Sequence, residues 1–102
     1  MYGRMWILQA DAEKKSPMTF RIRPGGVKTV GRATRADFVI DAALVSRLHC
    51  RLEADDERLN VVDLDSTNGT WVNGRRVDRA RLANGDRLRV GRIELTVSLQ
   101  AN

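Results

Sequence analysis

Turn-forming clusters punctuate this chain at short intervals: Pro24-Gly25-Gly26, Asp55-Asp56, Asn68-Gly69, Asn73-Gly74 and Asn84-Gly85. Each offers residues that tolerate tight turns or positive φ, so the intervening segments are bounded as short extended runs. Within them apolar residues recur with period two. Ile93, Leu95, Val97 and Leu99 share one face against Glu94, Thr96, Ser98 and Gln100. Phe20 and Ile22 alternate with Arg21 and Arg23, Leu88 and Val90 with Arg87 and Arg89, and Trp6 and Leu8 are expected opposite Met5 and Ile7. No stretch of about ten residues sustains the i, i+3, i+4, i+7 pattern of an amphipathic helix. Short strands joined by regular turns fold as a sandwich or barrel, so the fold class is all-β with mostly antiparallel strands.

At 102 residues with 42% hydrophobic content the chain can bury one core but not two, and residues 1–102 are read as a single domain. No run of about 18 apolar residues is present to span a membrane. The segment Met1 to Ala10 is too short and too interrupted, by Arg4 and Gln9, for a signal peptide, which places the chain in the cytoplasm. Cys50 is the only cysteine and His49 the only histidine, so an internal disulfide is impossible and a Cys/His zinc site lacks ligands. No metal or cofactor is expected. Cys50 shares a strand face with Leu52 and Ala54 and reads as a small core residue. Trp6 and Trp71 likewise read as packing residues.

The charge is informative but not selective. With 18 Lys and Arg against 13 Asp and Glu, a net +5 and a pI near 10.3, the surface attracts anions of any kind: phosphopeptide, nucleic acid or acidic lipid. Location narrows the choice. Gly31-Arg32 ends the strand from Val27 to Val30, Ser46-Arg47-Leu48-His49 precedes the next long strand, and Asp65-Ser66-Thr67-Asn68-Gly69-Thr70 follows Asp63-Leu64. Loops at one end of a sandwich cluster in space. Here they would offer a guanidinium, hydroxyls and an amide, a set suited to a phosphate monoester with its −1.5 to −2 charge (roughly, near neutral pH) and three acceptor oxygens. Arg32 and Ser46 would donate directly, with Arg47 adding charge at the rim.

Gly31-Arg32, Ser46-x-x-His49, and Thr67-Asn68-Gly69 followed by Asn73-Gly74 resemble, in order and spacing, the signature of forkhead-associated (FHA) domains, over Val27 to Leu99. The resemblance implies a β-sandwich of about eleven mostly antiparallel strands with its binding loops at one end. It further implies phosphothreonine-peptide recognition in Ser/Thr kinase signalling, the partner being a threonine-phosphorylated protein, a kinase or a kinase substrate. By resemblance Arg32 and Ser46 contact the phosphate, Arg47 and Thr67 assist, and Asn68 bonds the peptide backbone; Gly31, His49 and Gly69 hold the loops. Selectivity at the third residue after the phosphothreonine would come from Thr34–Asp37 and Ala42–Val45. There Leu44 and Val45 favour an aliphatic residue and Arg35 an acidic one, and the sequence does not rank them.

Other readings are weaker. Ser46 and His49 lack a Gly-x-Ser-x-Gly elbow and an identifiable orienting carboxylate, so an enzyme is not expected. The cluster Arg75, Arg76, Arg79 and Arg81 lacks interleaved aromatics that stack bases, which disfavours nucleic acid. The alternative function is a phosphate-independent interaction or scaffold domain of the same fold.

Overall fold

A computed structural model describes residues 3–10 and 18–101. Among these residues eleven strands follow in chain order: β1 (Arg4–Ala10), β2 (Thr19–Ile22), β3 (Val27–Gly31), β4 (Phe38–Val39), β5 (Cys50–Ala54), β6 (Leu59–Asp63), β7 (Thr70–Val72), β8 (Arg75–Val77), β9 (Arg79–Leu82), β10 (Arg87–Val90) and β11 (Ile93–Ala101). They form a six-stranded sheet ordered β2-β1-β11-β10-β7-β8 and a five-stranded sheet ordered β4-β3-β5-β6-β9. Only β3 and β4 pair in parallel; the other pairings are antiparallel. The all-β sandwich read from the alternation is the fold observed.

Period two decides which side chains enter the core. Leu8, Leu52, Leu88, Val90, Leu95 and Val97 are fully buried, joined by Trp6 and by Cys50 between Val30 and Asp63 in the register. Each buried aliphatic side chain contributes on the order of 1.5–3 kcal/mol before conformational entropy is set against it. Phe20 of one sheet stacks on Phe38 of the other, their ring centroids 4.6 Å apart, and so joins the two layers. Ile7 departs from the simple pattern. It faces away from this core yet is buried, because β1 is an interior strand and Ile7 lies between Arg21 and Ser98 in register. Asn73 and Gly74 both have positive φ, the requirement of a tight two-residue hairpin, and they join β7 to β8 as the dipeptide foretells.

Register also decides where the loops go. Val30, Cys50 and Asp63 are aligned across the five-stranded sheet, so the end of β3, the start of β5 and the end of β6 lie at one edge of the sandwich. In the other sheet Thr70, Val90 and Ile93 are aligned in the same way. The segments Gly31-Arg32, 40–49 and 64–69 and the Gly91 turn therefore share one end. Gly91 closes the group: a Cβ there would lie 3.0 Å from Val45 Cγ2 and 3.1 Å from the Leu44 carbonyl carbon. Among the described residues no helix is long and apolar enough to cross a membrane.

Candidate functional site

The base of the site is a close approach of two backbones. Arg32 N donates to Ser46 O (3.0 Å), Ala33 N to Arg47 O (3.0 Å) and His49 N to Val30 O (2.8 Å), so residues 46–49 run alongside the end of β3. Gly31 permits this, since a Cβ at that position would overlap the Arg47 carbonyl. The Arg32 side chain is then fixed by its Nε, which donates to Val45 O at 3.0 Å. Among the described residues its two Nη groups have no hydrogen-bond partner and it makes no ion pair.

His49 joins the loops from beneath and is fully buried. Its Nδ1 accepts from Ser46 N at 3.0 Å, and its Nε2 lies 2.8 Å from Gly69 O. A ring nitrogen that accepts from a backbone N–H is unprotonated, so the proton sits on Nε2 and is donated to Gly69. Both ring nitrogens are thereby engaged. His49 has no lone pair with which to deprotonate Ser46 Oγ, and the two residues cannot work as a nucleophile and base.

The third loop is organised by Asp63, whose Oδ1 accepts from Ser66 Oγ (2.6 Å) and Thr70 Oγ1 (2.7 Å) while Oδ2 accepts from Ser66 N (3.1 Å). Partial burial pushes this carboxyl up, but the three donated bonds outweigh it and hold it below the usual Asp range. Ser66 Oγ in turn accepts from Gly69 N at 3.0 Å, and Gly69 has φ of +87°. Thr67 N donates to Ser46 Oγ at 3.1 Å, which leaves the Ser46 hydroxyl hydrogen available to a ligand. Asn68 Nδ2 donates to Leu44 O at 3.1 Å and ties this loop to the segment before Ser46.

These bonds enclose an open cleft of about 480 Å³ lined by Arg32, Asp41, Ala42, Ala43, Leu44, Val45, Ser46, Thr67 and Asn68. Four sequence-predicted residues, Arg32, Ser46, Thr67 and Asn68, line it together; Gly31, His49 and Gly69 lie behind it. Arg47 is exposed beside Ser46 without lining the cleft. Leu44 and Val45 line the cleft as the sequence suggests, while Asp41 and the backbone of Leu44 escaped sequence reasoning. Asp41 places a carboxylate in the cleft, and Leu44 is held at φ +71° with its side chain 45% exposed. Arg35 does not line the cleft, and Asp37 turns back to bond Thr29 N and Oγ1. Cys50 stays out of the chemistry: burial and the nearby Asp63 charge push its thiol up to about 12, although Thr70 opposes the shift.

A two-sheet sandwich whose end-loop cleft gathers a guanidinium, a hydroxyl and a carboxamide has a donor set suited to an anionic ligand. The chain belongs to the FHA family: the family model described as FHA domain matches residues 28–91. It is 41% identical over 69 residues to the glycogen accumulation regulator GarA of Mycobacterium tuberculosis, covering 68% of this chain and 43% of GarA. It is 37% identical over 84 residues to the FHA domain-containing protein FhaA of the same organism, covering 82% of this chain and 16% of FhaA. The chain thus spans less than half the length of these curated relatives. Among solved structures, the FhaA FHA domain complexed with the intracellular domain of Rv3910 superposes with a TM-score of 0.82 at 37% identity, covering 90% of this chain and 98% of that one. A domain from a study of phosphothreonine-dependent FHA domain interactions superposes with a TM-score of 0.84 at 36% identity, covering 92% and 95%.

Proposed function

We propose that this domain binds threonine-phosphorylated segments of other proteins and thereby makes their association depend on a Ser/Thr kinase. The observation that carries the reading is the cleft itself. Arg32, fixed through Nε, keeps both Nη groups for phosphate oxygens, and Ser46 keeps its hydroxyl hydrogen for another. Arg47 adds charge at the rim, Thr67 assists with its hydroxyl, and Asn68 holds the ligand backbone. Gly31, His49 and Gly69 shape the loops. The lining favours an aliphatic over an acidic residue after the phosphothreonine, because Leu44, Val45 and Ala43 form the wall and Arg35 does not. Phosphothreonine made by ATP-dependent kinases sets this role in the cytoplasm. The solved relative whose study concerns phosphothreonine-dependent interactions supports the assignment.

The test is calorimetric titration of phosphothreonine, phosphoserine and unphosphorylated peptide libraries against wild type, Arg32→Ala and Ser46→Ala. Each charge-assisted hydrogen bond is worth about 1.5–3 kcal/mol, so Ser46→Ala loses about 10- to 150-fold in affinity and Arg32→Ala, which removes two such bonds, loses more. Equal binding of a preferred phosphopeptide by wild type and both variants refutes the site. A partner captured equally by wild type and Arg32→Ala, phosphorylated or not, supports phosphate-independent docking instead.

A further inference from the structure

The recognition loop is clamped peptide by peptide, and one clamp comes from outside the phosphate site. Thr67 N is held by Ser46 Oγ, and Gly69 O by His49 Nε2. The peptide unit between Asn68 and Gly69 is held at both ends: its N–H donates to Ser66 Oγ at 3.0 Å, and its carbonyl, Asn68 O, accepts from Trp71 Nε1 at 3.1 Å. Ser46, His49 and Ser66 belong to the loops at the end of the sandwich. Trp71 does not. It stands on the outer face of β7, away from Thr70 and Val72, which point into the core.

Its ring is itself held. Arg89, directly opposite Trp71 on β10, places its guanidinium carbon 4.6 Å from the ring centroid, a cation–π distance. On the other side Arg76 is the register partner of Trp71 on β8, and its side chain lies over Gly69, where a Cβ would come within 2.6 Å of Arg76 Nε. Trp71 is half-buried, more exposed than a core residue, and its indole N–H is engaged by the loop. Packing does not account for a polar atom aimed at Asn68.

We infer that Trp71 is a positioning residue for ligand recognition: its indole N–H fixes the Asn68–Gly69 peptide, and with it the Asn68 carboxamide, in the orientation that receives the peptide, while Arg89 holds the ring and Arg76 covers the loop at Gly69. The inference rests on the phosphopeptide reading for its functional meaning and on geometry for its mechanism. Asn68 reaches Leu44 O through Nδ2, so tilting the Asn68 peptide also loosens the wall of the cleft.

Trp71→Phe keeps an aromatic ring for Arg89 but removes the N–H together with part of the ring bulk, so the comparison in the Asn68→Ala background is what isolates the hydrogen bond. Titration of wild type with a phosphothreonine peptide selected from the library is compared with Trp71→Phe, Asn68→Ala and the double variant. Loss of one neutral hydrogen bond predicts an affinity lower by about three- to tenfold in Trp71→Phe, seen as faster dissociation. In the Asn68→Ala background the same change produces no further loss, because Trp71 acts through Asn68. A purely structural role would instead lower affinity by the same factor in both backgrounds, and that additivity overturns the inference, as does unchanged affinity in Trp71→Phe. Amide hydrogen exchange on the free domain separates the two levels. Faster exchange at the Gly69 amide, the N–H of the clamped peptide unit, in Trp71→Phe supports the clamp even if no phosphopeptide binds wild type, a result that would sink only the phosphopeptide reading; unchanged exchange there overturns the clamp.

Discussion

Replacing His49 with alanine should damage the fold more than the chemistry of the cleft. The imidazole is fully buried and bridges Ser46 N to Gly69 O, so its removal strands one donor and one acceptor that no other side chain reaches. A buried unsatisfied polar group costs about 1–3 kcal/mol, and the vacated ring volume adds a cavity, giving a loss of about 3–5 kcal/mol. Set against a total of about 5–15 kcal/mol for a small domain, this approaches the threshold of stable folding. At about 4–8 °C per kcal/mol for a domain of this size, Tm falls by about 12 °C or more. Urea denaturation followed by far-UV circular dichroism, with calorimetry for Tm, measures both. Arg32→Ala is the control, since it removes an exposed side chain with a single bond to Val45 O and should lower stability by no more than about 1 kcal/mol. If His49→Ala also loses less than about 1 kcal/mol, the two ring bonds are not what joins the loops, and the separation of scaffold from ligand-binding residues fails.

Asp63 makes stability depend on acidity. Its folded-state pKa lies below the ordinary value of 3.8, so its contribution is fully present above that value and is lost as pH falls through the lower folded-state pKa. Asp37 and Asp55 are lowered too and act in the same window, so urea midpoints of wild type and Asp63→Asn must be compared. The gap between them should narrow as pH falls below 3.8, and a constant gap would contradict the assignment. Cys50, with its thiol pushed up to about 12 and its side chain buried, should resist iodoacetamide in the native domain at mildly alkaline pH and react once urea unfolds it. Labelling at the same rate with and without urea would show that β5 opens readily.

What the sequence made legible and what it concealed divide along a physical line. Period-two alternation on β11 and β10 and the Asn73-Gly74 hairpin are local properties, fixed by residues within a few positions of one another, and they were readable. Arg32, Ser46, Thr67 and Asn68 were readable as residue types on loops that a sandwich must gather. The backbone of Leu44, the place of Asp41 and the Trp71 indole bond were not, because they arise only when distant segments meet. Leu44 is the clearest instance. A non-glycine residue in the left-handed region is strained by about 1–2 kcal/mol, and nothing in Ala42-Ala43-Leu44-Val45 announces it. The strain is maintained from elsewhere, by the Asn68 Nδ2 bond to Leu44 O and by Gly91, where a side chain would crowd Leu44 and Val45. Asn68 therefore already has one function before any ligand arrives. Under the proposed binding its Nδ2 stays on Leu44, keeping the apolar wall presented, and its Oδ1, which accepts no hydrogen bond from the described residues, is the atom left to take a backbone N–H of the peptide. An Asn68→Asp substitution keeps that acceptor and removes the donor, so it should harm the wall and add repulsion toward phosphate; Asn68→Ala removes both. Both lose the Nδ2 bond to Leu44 and with it the wall, so both should weaken most toward peptides with an aliphatic side chain there; calorimetric titration tells them apart by the acceptor that Asn68→Asp keeps and by its repulsion toward phosphate.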